Sequence, residues 1–242
     1  MDGTMTPLGR SQTDDPVILG LDTSGRWAGL ALARGDEVLA ELSWRTGLRH
    51  TAELFPNLER LLAIGGSART ELAGLVVATG PGTFNGLRTG VSAAKGLAFA
   101  LNIQVIGVSS FEVRALQMAA PGVVLCPAFS SGRRDLAAAV YRWSGDELVT
   151  LIDPAVAPIE DWIDRVPARS VVIGELRPEV ADRLIAARLH VLPESLAAPR
   201  ASQAIRLARP RWLAGDFDDP RSLQPFYLRP PQITEAGRRA GA

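Results

Sequence analysis

Lysine is almost absent: Lys95 is the only one among 26 basic residues, and the rest of the positive charge is arginine. That scarcity reads as compositional bias rather than chemistry. Acidic residues also number 26, so the chain carries no net charge. A polyanion binder working alone would show a basic excess on one face, and balance argues against that role. A single cysteine, Cys126, excludes an internal disulfide framework and fits a reducing cytosol. It lies in the apolar run Val123 to Phe129, where an inert core thiol is the expected reading over a nucleophile. No apolar run approaches the ~20 residues needed to cross a membrane. Residues 1–16 lack the apolar segment of a secretory signal and are expected to form a disordered extension. Two histidines, His50 and His190, are too few and too far apart for a His-Glu-x-x-His metal set. Four residues after His50 stands Leu54, not a second imidazole, so no metal site is expected.

What the chain does hold is one unusual stretch, Val76 to Leu101, VVATGPGTFNGLRTGVSAAKGLAFAL. A short β-branched run ends in Gly80, Pro81 and Gly82, which reads as a buried strand breaking into a turn. A helix follows to about Leu101, with Asn85 as its expected N-cap. At ~100° per residue, Gly86, Gly90, Ala93, Ala94 and Gly96 share one nearly side-chain-free face, with Arg88, Lys95 and Phe99 opposite. Each interior glycine costs roughly 1 kcal/mol against alanine, so something must need the space. Either another element of the same chain packs there, or a second subunit lays a helix on it. The glycine turn fits neither the dinucleotide fingerprint nor the Walker pattern, and a tight structural turn is preferred over a phosphate cradle.

The run GPGTFNGLRTGVSAAKGLAFAL resembles the GPGSFTGLRIG signature of the TsaB (YeaZ-type) family, with Thr83 and Asn85 as mild departures. VILGLDTS at Val17 to Ser24, the segment Arg49 to Leu54, Val105 to Phe111 and PFYLRP at Pro225 to Pro230 are similar to further family segments. In the second half, Ser130, Ser131 and Gly132 stand where the family commonly has Asp-Ala-Arg.

Three strand-like runs, Val17 to Thr23, Trp27 to Ala33 and Glu37 to Trp44, are joined by short turns and read as an antiparallel meander. A helix from His50 to Ala63 carries Leu54, Leu58, Leu61 and Leu62 on one side, with Pro56 forcing an early kink or a late start. With the strand, helix and strand up to Val108 this makes a ββαβαβ-type order and an α/β fold. The second half repeats the order with three strands, then shorter alternating elements. The resemblance implies the two-lobed actin, hexokinase and Hsp70 (ribonuclease H-like) fold with an abbreviated second lobe. The expected organisation is a first lobe over 17–111, a second lobe and irregular C-terminal strap over 112–230, and a disordered tail over 231–242.

Members of this family are subunits of the bacterial machinery that makes threonylcarbamoyladenosine on transfer RNA. The resemblance therefore implies a non-catalytic cytoplasmic subunit that binds a TsaD-type transferase and works with a TsaE-type ATPase. It meets transfer RNA only through the complex and pairs with itself when alone. The chain alone is expected to bind no cofactor, ATP and a metal ion entering only with the complex. Expected partner-binding residues are His50, Leu54, Leu58, Gly82, Thr83, Phe84, Gly86, Arg88, Gly90, Ala93 and Ala94. Asp22, Thr23 and Ser24 stand where actin-like enzymes place an acidic catalytic residue, and are expected to be vestigial, with Asp22 capping its turn. An active ATPase or kinase on Asp22 and the Gly80 turn is the alternative; a metallopeptidase lacks its ligand set.

Overall fold

The computed structural model describes residues 15–229 except 48 and 146. The expected extension, but for its last two residues, and the expected tail lie outside the described residues. The first sheet contains β1 (Val17–Asp22), β2 (Trp27–Arg34), β3 (Glu37–Arg45), β4 (Leu72–Gly80) and β5 (Gln104–Ser109), in the order β3-β2-β1-β4-β5. The meander is antiparallel, and β4 and β5 are parallel additions reached through α1 (His50–Ile64) and α2 (Phe84–Leu101). The second sheet contains β6 (Val124–Ser131), β7 (Asp135–Ser144), β8 (Glu147–Pro158), β9 (Val171–Glu175) and β10 (His190–Val191), ordered β10-β9-β6-β7-β8. Strand for strand this is the first sheet again, and β10, with only two residues, is where it is abbreviated.

Every residue of β1 is buried, because both faces of the first sheet are covered. Val17, Leu19 and Leu21 point to Leu54, Leu58, Leu61, Val91 and Ala94 of α1 and α2. Ile18 points the other way, to Ala201, Ala204, Ile205 and Ala208 of α6 (Ala201–Ala214). This is the period-two alternation of a strand between two layers. The second sheet is covered on one face by α4 (Ile159–Arg165) and α5 (Pro178–Ala186), with Trp162, Val180 and Leu184 at the centre. On its other face lies α3 (Ser110–Leu116), which joins the sheets: Phe111 and Ala115 enter the second sheet's core, and Val113 enters the first's.

Two expectations about organisation are corrected. A boundary at 111/112 cuts through α3, and α6, assigned to the second lobe, packs on the first sheet because its alanine face complements that sheet's uncovered side. Helix α1 starts at His50 and runs through Pro56. The carbonyl that proline leaves without its helical donor belongs to Ala52, on the exposed side of the helix.

After α6 the chain runs without helix or strand to residue 229, apart from one isolated bridge to Val105. Asp218 bonds the backbone of Val105 and Gly107, and the lone lysine, Lys95, donates to the carbonyls of Arg221 and Leu223, each at 3.2 Å. Phe226 N–H donates to Thr79 O at 2.8 Å, and Arg229 ends the path on Asp135 at 2.6 Å.

Candidate functional site

Asp22 ends β1 and is fully buried. Its Oδ1 accepts from the Ser24 N–H at 2.8 Å and from Ser24 Oγ at 2.6 Å, so the side chain caps its own turn. Its Oδ2 faces Arg114 Nη1 of α3 at 3.2 Å, and Arg114 Nη1 also donates to Ser24 Oγ at 3.0 Å. Arg114 is itself fully buried, its guanidinium lying 4.6 Å from the Phe129 ring. From the second sheet, Glu175 at the end of β9 brings Oε1 to 3.9 Å from Arg114 Nη2. The same carboxylate accepts the N–H groups of Arg26 and Trp27 at 2.7 and 3.2 Å. Arg114 thus lies between two carboxylates from two sheets that would otherwise repel, and Arg26 Nε adds a second cation to Glu175 at 3.4 Å.

The glycine face is explained within the chain. A Cβ at Gly86 would overlap the Thr23 carbonyl, one at Gly90 the Thr23 hydroxyl, and one at Gly82 the Ser24 carbonyl. Thr23 Oγ1 donates to Gly86 O at 2.8 Å, and the Thr83 N–H donates to Ser24 O at 2.7 Å. Glycine is required here because the Asp22–Ser24 turn lies flat on the start of α2. The helix begins at Phe84 with Thr83 as N-cap, two residues earlier than an Asn85 cap implies.

The expected partner residues therefore divide. Gly86, Gly90 and Ala94 are buried against the end of β1 and β4, which corrects their assignment to a docking face, and half-buried Gly82 lies against Ser24. Leu54 and Leu58 sit in the first lobe's core for the reason that placed them on one stripe: that stripe is apolar, and the sheet takes it. His50 is also buried. Its Nε2 lies 3.3 Å from Thr46 Oγ1, and burial lowers its pKa below the usual 6.5 despite the opposing pull of Glu53 and Glu175. Thr83 and Arg88 are exposed; Ala93 is nearly buried between α1 and α2. Phe84 is partly covered, its ring 5.2 Å from that of Tyr227 and 3.9 Å from the Arg88 guanidinium.

What α1 and α2 present outward is a different set. A shallow groove of about 420 Å³ between them is lined by Thr51, Phe55, Arg88, Ser92, Ala93 and Gly96, among others. Gly96 has open space where a Cβ would stand. Phe55, Ile64 and Phe99 are 47, 64 and 55% exposed, large apolar side chains on the outer side of the two helices. Phe55 and Ile64 fall off the leucine stripe of α1, which is the signal that marks them in the sequence. Cys126 is buried and its thiol is pushed up to about 12 by desolvation, which keeps it protonated and inert.

Two similarly ordered sheets with the site at the carboxyl ends of β1 and β9 make this a two-lobed α/β protein of the actin, hexokinase and Hsp70 kind. The family model described as "TsaD: tRNA N6-adenosine threonylcarbamoyltransferase" matches residues 45–188. The tRNA threonylcarbamoyladenosine biosynthesis protein TsaB of Bacillus subtilis is 28% identical over 219 residues, covering 88% of this chain and 94% of that protein. The TsaB of Escherichia coli is 34% identical over 100 residues, 40% of this chain and 42% of its own. The solved structure of YeaZ from Pseudomonas aeruginosa superposes with a TM-score of 0.72 at 25% identity, covering 88% of this chain and 100% of that one. The chain belongs to the TsaB (YeaZ-type) family.

Proposed function

We propose that this chain is a non-catalytic cytoplasmic subunit of the apparatus that makes threonylcarbamoyladenosine on transfer RNA, docking a TsaD-type transferase through the outer face of α1 and α2. The observation that carries this reading is exposed Phe55 on a groove whose wall includes the side-chain-free position Gly96, with a second exposed phenylalanine, Phe99, three residues beyond Gly96 on α2. Isolated surface phenylalanines are ordinary; several on neighbouring helices around a groove are the composition of a docking patch. A helix laid there can approach closely at Gly96 and bury both rings, at roughly 25 cal/mol per Å².

The lack of own activity is supported by the engagement of Asp22, whose oxygens are taken by Ser24 and Arg114. Chemistry then belongs to the transferase, and the TsaE-type ATPase, ATP and metal join only in the complex. The same face can pair with itself about a two-fold axis, giving a homodimer that competes with the heterodimer. Purified chain mixed with the TsaD-type enzyme of its own organism should co-elute with it and raise its modification of transfer RNA. Separate elution with no gain in modification would refute the reading.

A further inference from the structure

The two sheets leave a cavity of about 560 Å³ between the Pro81–Phe84 turn, the β6–β7 turn and the strap residues Tyr227–Arg229. Its polar lining is weighted towards donors. Arg177, just beyond β9, lines it, and its buried Nε has no hydrogen-bond partner among the described residues. The Arg177 backbone N–H donates to Ser130 Oγ at 3.0 Å, which leaves the Ser130 hydroxyl proton to point elsewhere. Helix α2 opens at the same wall, and no side chain caps its first turn. The one carboxylate in the lining is Glu175, already bonded to the Arg26 and Trp27 N–H groups. Phe129, Val156 and Leu228 supply apolar walls.

A buried donor without an acceptor costs roughly 1–3 kcal/mol, and a helix N-terminus favours negative charge. Arg177, Ser130 and the first turn of α2 come from three separate elements and line one space. We propose that the cavity is a binding site for a small organic anion. Its carboxylate or phosphate group is held by Arg177, the Ser130 hydroxyl and the first turn of α2, and its apolar body rests on Phe129 and Leu228. A polyphosphate wrapped by the glycine turn is a poor fit, because Thr23 and Ser24 fill the inner side of that turn. This inference goes beyond the subunit role, and its test contains no partner protein, so either can fail without the other.

The test is calorimetric titration of the full chain with inorganic phosphate, phenyl phosphate and benzoate at constant ionic strength. Saturable binding of phenyl phosphate or benzoate, tighter than inorganic phosphate, is expected; which of the two wins tells a phosphate ligand from a carboxylate. Arg177→Ala should weaken that binding about tenfold, equivalent to ~1.4 kcal/mol. Arg209→Ala, whose partner is Asp36 on the far side of the first sheet, should leave it unchanged. If Arg177→Ala does not fold, Arg177→Lys and Ser130→Ala carry the comparison, and each should weaken binding. No saturation by any of the three probes, or equal affinity in the folded Arg177 and Ser130 variants, would overturn the proposal.

Discussion

Arg114 Nη1 lies 3.2 Å from Asp22 Oδ2, and neither side chain reaches solvent. The pair ties α3, wedged between the sheets, to the end of the central strand of the first. Removing one partner strands the other charge in a dry interior, at a cost of about 3–5 kcal/mol. Arg114→Met should therefore lower the unfolding free energy by that amount in a denaturant titration. Asp22→Asn combined with Arg114→Met should recover most of the loss. A single variant as stable as the parent would show that the pair contributes nothing.

The glycines of α2 separate by what they face. Gly90→Ala removes a glycine penalty of about 1 kcal/mol but drives a methyl into Thr23, and the net effect should be a loss of about 1–3 kcal/mol. Gly96→Ala meets open space and should gain up to ~1 kcal/mol. Thermal melts of the two variants should move in opposite directions.

His50 gives a pH signature. Burial lowers its folded pKa below the 6.5 of the unfolded chain, so the unfolded state binds the extra proton first as pH falls. Stability should thus decline as pH drops through and below about 6.5. His50→Gln, which keeps a polar partner for Thr46, should flatten that part of the melting-temperature profile.

Much of the fold was legible because local patterns agree with tertiary context. The meander, the leucine stripe of α1 and the strand–turn–helix at Gly80 follow from periodicity and turn residues alone. Helix α3 was not legible. Its seven residues, SFEVRAL, are buried on nearly every side, so they show no amphipathic stripe, and an arginine in the middle reads as surface. The site suffered from the same blindness. Arg114 and Glu175 are brought to Asp22 only when the two sheets face each other, across sequence separations that no motif spans. The glycine face was visible, but spacing cannot say which neighbour uses it; Thr23 does at Gly86 and Gly90, and the docking surface proposed above is instead the exposed set Phe55, Gly96 and Phe99.

The account turns on the outer face of α1 and α2, and a calorimetric titration of this chain into the TsaD-type transferase of its own organism tests it most directly. Binding by the parent chain, weakened at least about tenfold by Phe55→Glu or Phe99→Glu with melting temperatures unchanged, is the predicted result. Equal affinity in all three proteins, or no binding by the parent, would contradict it.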